Sequence, residues 1–251
     1  MLLPPPLVHW KEPLYFGIAL VVSVIIYLLL IFSIIGIVYI LLAAVILFIA
    51  QGVFIGRIRG NAIRVSERQF PDAHRIATQL AKAMELKNVP TIYIIQAGGA
   101  LNAFATKFFS RNFIVVFSDI LELAYEHGED AVAFVLAHEL AHLKRRHLTW
   151  RWFISPALFI PFLGTAYQRA AEYTCDRYGT RYAPDGAAAG ILVLAVGKRL
   201  YKDVDLKEVI QQSGEDRGFW IGFAEALATH PNITKRVLEI ERFRTASTTK
   251  K

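Results

Sequence analysis

The stretch AVAFVLAHELAH, residues Ala131–His142, carries two histidines and one glutamate in an otherwise apolar run. A helix that is apolar on nearly all sides is buried, so we predict a buried helix from Glu129 to His147. Because positions i and i+4 share one face of a helix, His138 and His142 can reach a single metal ion. Two imidazoles and a carboxylate are costly to bury without partners, and a metal ion is such a partner. The H-E-x-x-H pattern therefore predicts that both histidines bind Zn²⁺.

Glu139 lies next to these histidines, where its carboxylate can take a proton from a zinc-bound water, whose pKa the metal lowers to near 7. A catalytic zinc site needs a third protein ligand, and our candidate is Glu172. Asp176, four residues later, would face the same way and hydrogen-bond the far nitrogen of a ligand histidine. The spacing is equally compatible with a solvated acidic face paired with Arg169 or Arg177.

Four motifs in this order resemble those of the membrane zinc protease family that includes HtpX and the CaaX prenyl proteases. They are H-E-x-x-H at 138–142, E-x-x-x-D at 172–176, N-A-F-A at 102–105, and His230-Pro231 followed by Arg236. The resemblance extends from about Ser66 to Phe243 and is nearer to HtpX. It implies an α+β, mainly helical fold with a gluzincin-like zinc protease domain and one Zn²⁺ per chain.

The resemblance also implies roles for single residues at the metal. The zinc ligands would be His138, His142 and Glu172. Glu139 would be the general base, and Asp176 would support a ligand histidine from behind.

Two further segments would contact the substrate, if the resemblance holds. An edge strand pairing with the substrate backbone would be formed by Asn102, Ala103, Phe104 and Ala105. His230 or Arg236 would stabilise the oxyanion that forms when water attacks the scissile carbonyl. The other interpretation of His230-Pro231 is a helix start, because proline suits a first turn.

No residue from Leu14 to Gly56 is charged. One helix of that length would measure about 64 Å at 1.5 Å per residue, whereas the hydrocarbon core of a bilayer is about 30 Å thick. We therefore predict a transmembrane hairpin in residues 1–56, with helices near Leu14–Phe32 and Ile37–Ile55 and a turn that includes Ser33. A single span preceded by an interfacial segment is the alternative.

Basic residues predict the orientation of this anchor. The apolar run is followed by Arg57, Arg59, Arg64 and Arg68, and the positive-inside rule places this flank in the cytoplasm. We predict an integral protein of the cell membrane whose protease domain, residues 57–244, faces the cytoplasm.

A second uncharged segment covers residues 152–168. A single crossing there would separate His142 from Glu172 by the bilayer, and the two could not share a zinc ion. Pro156 and Pro161 favour a broken, interfacial or re-entrant segment; a soluble core element is the alternative. Residues 245–251 are polar and are predicted to form a disordered tail.

Three β-rich runs precede the zinc helix: Thr91–Gln96, Asn102–Thr106 and Asn112–Ser118. Runs in close succession predict a small antiparallel sheet, with a turn at Gly98-Gly99.

The single cysteine, Cys175, excludes a disulfide within the chain. We expect its thiol to face away from Glu172 and Asp176 as a packing group. His147 is expected at a solvated, basic helix end.

The net charge of +7 fits an anionic membrane surface. No basic run is interleaved with aromatics as a nucleic-acid site requires, so no nucleic-acid partner is predicted. The predicted partners are the lipid bilayer and polypeptide substrates. The leading hypothesis is a zinc endopeptidase acting on membrane-associated or misfolded proteins in protein quality control. The alternatives are a CaaX-type prenyl protein protease and a non-catalytic membrane scaffold.

Overall fold

A computed structural model of the chain describes residues 5–96, 102–109 and 111–248. The described helices are α1 (Lys11–Ile31), α2 (Ile34–Asn61), α3 (Pro71–Ala83), α4 (Ser118–His127), α5 (Asp130–Lys144), α6 (His147–Phe153), α7 (Ser155–Leu158), α8 (Leu163–Tyr182), α9 (Ala187–Val196), α10 (Leu206–Glu215), α11 (Phe219–Leu227) and α12 (Ile233–Thr248), with a 3-10 turn at Tyr201–Asp203. The strands are β1 (Ile63–Arg64), β2 (Thr91–Ile95), β3 (Ala103–Phe108) and β4 (Arg111–Phe117). The mainly helical class predicted from the sequence is confirmed.

The N-terminal apolar run folds into two helices joined by a tight turn. Ser33 caps α2 by accepting a hydrogen bond from the Gly36 amide. A Cβ on Gly36 would lie 2.2 Å from the carbonyl oxygen of Leu30, so the turn requires glycine there. Both helices are long and apolar enough to cross a bilayer, and most of their surface is exposed in the monomer.

The sheet has the strand order β1-β2-β4-β3 and is mixed, which corrects the antiparallel sheet expected from the sequence. β2 and β4 pair in parallel, while β3 and β4 form an antiparallel hairpin. After β2 the chain leaves room for one strand and forms β3 at the edge of the sheet. It then turns back, and β4 fills the place between β2 and β3. The predicted turn at Gly98-Gly99 lies outside the described residues.

The helix α5, which carries the H-E-x-x-H motif, is the centre of the core. It packs against α3, α8 and α9, and all its residues from Phe134 to Ala141 are buried. A Cβ on Gly179 of α8 or Gly190 of α9 would lie 2.6 or 2.5 Å from the Phe134 ring. These glycines therefore allow two helices to approach α5 closely.

The predicted helix from Glu129 to His147 is in fact two helices. Arg146 adopts a left-handed backbone with φ 57°, which ends α5 and starts α6 at His147. In a continuous helix, His147 would point about 140° away from His142. The break returns His147 toward the motif.

The apolar segment 152–168 includes the end of α6, the short helix α7 and the first turns of α8. The chain reverses direction at 152–163, and this reversal packs beside α1. The amide of Ala157 donates to Ser23 Oγ at 3.2 Å, and the Tyr27 hydroxyl lies 2.9 Å from Ser155 Oγ. Ile154 and Ala157 are fully buried in this contact. The reversal is therefore held against α1 by both polar and apolar contacts.

The last helix, α12, continues to Thr248. Residues 245–248 of the predicted disordered tail are therefore helical, because α12 carries on past Phe243 without a break. Residues 249–251 lie outside the described residues.

Candidate metal centre

The two motif histidines converge on one carboxylate. His138 Nε2 lies 3.4 Å from Glu172 Oε2, and His142 Nε2 lies 3.4 Å from Glu172 Oε1. The histidines come from α5 and the glutamate from α8, whose packing brings the two motifs together. Two imidazoles and one carboxylate are a set of donors that can hold a metal ion, and His₂Glu is one of the sets that catalytic zinc sites use.

Asp176 holds the far side of His138. Its Oδ1 lies 3.0 Å from His138 Nδ1, and the carboxylate is almost completely buried. Arg236 of α12 donates hydrogen bonds of 2.8 and 2.6 Å to the two oxygens of Asp176. The Arg236 guanidinium also lies 3.7 Å from Glu172. Arg236 and Asp176, both candidates from the sequence, are therefore in direct contact.

The solvated acidic face considered for Glu172 and Asp176 is wrong. Both carboxylates are buried. Arg169 donates instead to the carbonyl oxygens of Ala226 and Ala228, and Arg177 donates to Glu239.

The electrostatics of the site favour a cation. Burial opposes ionisation of Glu172, but hydrogen bonds from His138 and His142 outweigh burial and hold the pKa of Glu172 well below its usual range. Burial lowers the pKa of His138, yet hydrogen bonds to Asp176 and Glu172 outweigh it and raise that pKa to about 10. The two carboxylates thus stabilise a positive charge at this point, which a metal ion would supply.

Glu139 lines the same pocket, which has a volume of about 240 Å³. Glu139 is 7% exposed and lines the pocket together with His138 and His142. His230 stands at the open side of the pocket, with its side chain 63% exposed and its Nε2 3.6 Å from Glu172 Oε1.

The predicted substrate strand also lines this pocket, through Asn102, Ala103, Phe104 and Ala105. β3 is the last strand of the described sheet, and its outer edge faces away from β4. Phe104 lies opposite Val115, and the Phe117 amide donates to the Asn102 carbonyl at 2.9 Å.

Backbone groups in an antiparallel pair alternate between the partner strand and the free edge. Since Asn102 bonds to β4, the N–H and C=O groups of Ala103 and Ala105 point outward.

A second set of polar residues, not predicted from the sequence, lies behind the site. His147, expected to be solvated, is 3% exposed, and its Nδ1 lies 3.0 Å from His142 Nδ1. Glu12 of α1 lies 3.3 Å from His147 Nε2 and accepts hydrogen bonds from Arg145. The available signal was an ionisable residue at the start of an apolar helix, which is costly unless it is paired.

Cys175 lies nearer to the motif than expected. His138, His142 and Cys175 offer ligand atoms that lie within 4.8 Å of one another. Burial raises the pKa of the Cys175 thiol well above its usual range when no metal is bound. Its Sγ lies 3.8 Å from His147 Nδ1, the atom that faces His142 Nδ1, whereas Glu172 faces the other ring nitrogen of His142, Nε2. The geometry therefore favours Glu172 as the third donor.

Comparison with known proteins gives two relatives with the same sequence identity to this chain. The plastoglobule-localized metallopeptidase 48 of Arabidopsis thaliana, a chloroplastic protein, is 30% identical over 142 residues, which cover 50% of this chain and 40% of that protein. The beta-barrel assembly-enhancing protease of Yersinia pestis is 30% identical over 144 residues, covering 56% of this chain and 29% of that protein. The chain spans less than half the length of these curated relatives.

The sequence also matches peptidase family M48 over residues 67–160 and 150–244, a region that contains all four motifs and every predicted site residue. The resemblance inferred from the motifs is confirmed, and the chain belongs to peptidase family M48.

Proposed function

We propose that this protein is a membrane-anchored zinc endopeptidase. The observation that carries the proposal is the convergence of His138 Nε2 and His142 Nε2 on the Glu172 carboxylate, at 3.4 Å each. Glu139 lines the same pocket, and an edge strand forms one of its walls.

The donor set fits Zn²⁺, which accepts nitrogen and oxygen ligands and, in catalytic sites, keeps one position open. His138, His142 and Glu172 would hold the ion, one per chain. A bound zinc ion polarises the scissile carbonyl and lowers the pKa of water to near 7.

Glu139 is the general base of this proposal. Its carboxylate takes a proton from the attacking water and delivers it to the leaving amine. Glu139 is buried and lines the same pocket as the two histidines. It is not one of the three proposed metal ligands, so its carboxylate is available for proton transfer.

His230 and Arg236 have different surroundings, which separates their roles. Arg236 is buried, and its hydrogen bonds go to Asp176. We therefore assign it to positioning Asp176 and Glu172. His230 is exposed at the pocket mouth, where its imidazole can stabilise an oxyanion on the substrate.

The outer edge of β3 would bind the substrate backbone. An extended peptide laid against it can hydrogen-bond the outward C=O group of Ala103 and the N–H and C=O groups of Ala105. The Ala103 N–H donates to Asn102 Oδ1 at 2.9 Å, so that side chain would have to move before the Ala103 N–H could bind a peptide. This mode of binding tolerates many sequences, because it uses only main-chain atoms of the substrate.

Membrane anchoring rests on the exposed surfaces of α1 and α2. Exposed apolar area of this extent is rare on soluble monomers, and both helices reach a mean hydropathy of 2.8 over a spanning window. Arg57 and Arg59 follow the second span and favour a protease domain in the cytoplasm, at the cell membrane.

The reversal at 152–163 fits a re-entrant segment. Tyr27, which contacts Ser155, lies about 20 Å along α1 from Leu14. Irregular backbone at such depth is tolerated where protein groups satisfy it, as Ser23 does for the Ala157 amide. The active site would then lie close to the cytoplasmic surface of the bilayer.

This position favours membrane-associated or misfolded proteins as substrates, as in protein quality control. A CaaX-type prenyl protein protease is the weaker candidate, because the described chain has only two helices of spanning length. A non-catalytic scaffold has no use for the buried Glu139.

The test compares purified full-length protein with Glu139→Gln. We expect both to bind about one zinc ion per chain by elemental analysis, and only the unaltered protein to cleave a fluorescent casein in detergent. The matched control is Glu129→Gln, which removes an exposed charge at the start of the same helix and should leave cleavage unchanged. Absence of zinc from the unaltered protein would overturn the metal site, and equal cleavage by Glu139→Gln would overturn the role of the base.

A further inference from the structure

The two motif histidines present their second nitrogens to different parts of the molecule. His138 Nδ1 faces Asp176 on α8 at 3.0 Å. His142 Nδ1 faces His147 Nδ1 at 3.0 Å, and His147 Nε2 lies 3.3 Å from Glu12 Oε1. Glu12 belongs to the first turn of α1. A carboxylate therefore stands behind each histidine, directly in one case and through His147 in the other.

The position of each proton along this chain follows from the metal contact. A neutral imidazole that binds a metal through Nε2 carries its proton on Nδ1. His142 Nδ1–H would then donate to His147 Nδ1. His147 in turn carries its proton on Nε2, from where it can donate to the Glu12 carboxylate. The chemical types match along the path, since His142 can donate, His147 can accept and donate, and Glu12 can accept. His147 Nε2 makes no aligned hydrogen bond in this structure, so its 3.3 Å approach to Glu12 Oε1 is a contact between a buried imidazole and a buried carboxylate.

Glu12 is itself fixed in place. Its residue is 4% exposed, and Arg145 donates hydrogen bonds of 3.1 and 2.8 Å to the same oxygen that faces His147. Arg145 directly follows α5, and His142 lies in the last turn of the same helix. The C-terminal end of α5 therefore supplies both His142 and the arginine that holds Glu12 in place.

The packing explains why this arrangement forms. Arg146 breaks the helix after α5, which turns His147 back toward His142. The thiol of Cys175 lies 3.8 Å from His147 Nδ1. A thiol is only a weak donor and a weak acceptor, so it competes poorly with His142 for His147 Nδ1.

We propose that Glu12 and His147 are positioning residues that orient His142 for metal binding, so that the first apolar helix completes the metal centre of the protease domain. This inference rests on the zinc site of the proposed function. It assigns α1 a role beyond attachment to the bilayer: the helix supplies the outer partner of a metal ligand.

The test measures zinc affinity by competition with a chromophoric chelator, using full-length protein in detergent. Loss of such an outer partner typically weakens metal binding about 10–100-fold, and we expect this loss for Glu12→Ala and for His147→Phe. Glu12→Gln keeps an oxygen acceptor for His147 and should bind zinc more tightly than Glu12→Ala. The control is Tyr27→Phe, which weakens the packing of the same helix far from Glu12 and should keep the affinity of the unaltered protein.

A double variant separates positioning from general loosening of the fold. If Glu12 acts through His147, Glu12→Ala combined with His147→Phe should bind zinc no more weakly than His147→Phe alone. The melting temperatures of the EDTA-treated proteins should not follow the order of zinc affinities.

Zinc affinity of Glu12→Ala within about twofold of the unaltered protein, or multiplying losses in the double variant, would overturn this inference alone. Failure of the unaltered protein and of Tyr27→Phe to bind zinc would overturn the proposed function and this inference together.

Discussion

Helices α1 and α2 have the same mean hydropathy, 2.8, but they are built into the protein to different degrees. α1 buries Glu12, Ala19 and Ser23, and it packs along α7 and α8. α2 is exposed from Leu41 to Ala50, and beyond that it packs on the sheet through Ile55 and Ile58. Two helices of equal hydropathy therefore differ in how much protein they contact: α1 packs along α7 and α8, whereas the middle of α2 is exposed. The buried small and polar residues of α1 mark this difference.

The largest effect is expected from replacing equal stretches of the two helices by leucine. Replacement of Val21–Ile31 removes the Ser23 acceptor of the Ala157 amide and inserts larger side chains into a filled contact. An unsatisfied buried amide and overpacking together cost about 2–6 kcal/mol. The same replacement at Ile37–Leu47 should cost less than about 1 kcal/mol, because that surface is largely exposed.

Thermal unfolding in detergent would measure this difference. We expect a fall in melting temperature of roughly 10 °C for the α1 replacement and little change for the α2 replacement. Equal falls in melting temperature would show that α1 and α2 contribute equally to stability, which would contradict the closer packing of α1.

A pair of single substitutions tests the packing component. Ala19 is fully buried with Ile154, Ala157 and Tyr167, so Ala19→Leu should destabilise the protein by about 1–3 kcal/mol through overpacking. Ala43→Leu makes the same change on the exposed face of α2 and should be nearly neutral. Melting curves of both variants in one detergent give the answer, and a neutral Ala19→Leu would contradict the close contact between α1 and the reversal.

The smallest effect concerns hydroxyl groups. Tyr27→Phe removes the contacts of the hydroxyl with Ser155 Oγ and the Trp152 carbonyl, which should cost about 0.5–1.5 kcal/mol. Tyr39→Phe removes a hydroxyl from a side chain that is 63% exposed on α2, and no measurable change is expected. Chemical denaturation midpoints in mixed micelles would resolve the difference; a larger loss for Tyr39→Phe would reverse the assignment of roles.

Much of the candidate site could be predicted from the sequence because its key spacings are local. His138 and His142, like Glu172 and Asp176, lie four residues apart on single helices, and helix geometry alone puts each pair on one face. The two helices and the turn between them were predicted within about three residues, because an uncharged run of this length has few other solutions than a hairpin. The end of α2 was not, since the helix continues from the predicted Ile55 through the basic flank to Asn61.

The strand order of the sheet and the helix break after α5 could not be predicted in this way. The order of β2, β4 and β3 depends on contacts between distant strands, which alternation of side chains does not encode. The left-handed backbone of Arg146 carries no glycine or asparagine signal. It costs free energy locally, and the surrounding packing stabilises it.

The sequence by itself determined the family, the identity of the candidate ligands and the presence of two apolar helices, since each depends on residue type and short-range periodicity. Only the tertiary structure decided what stands behind those ligands. Glu12 and His147 are separated along the chain by most of the hairpin and the sheet. They meet because α1 packs along α8, and the free energy of burying a carboxylate there is offset only when it faces a cation and a hydrogen-bond donor.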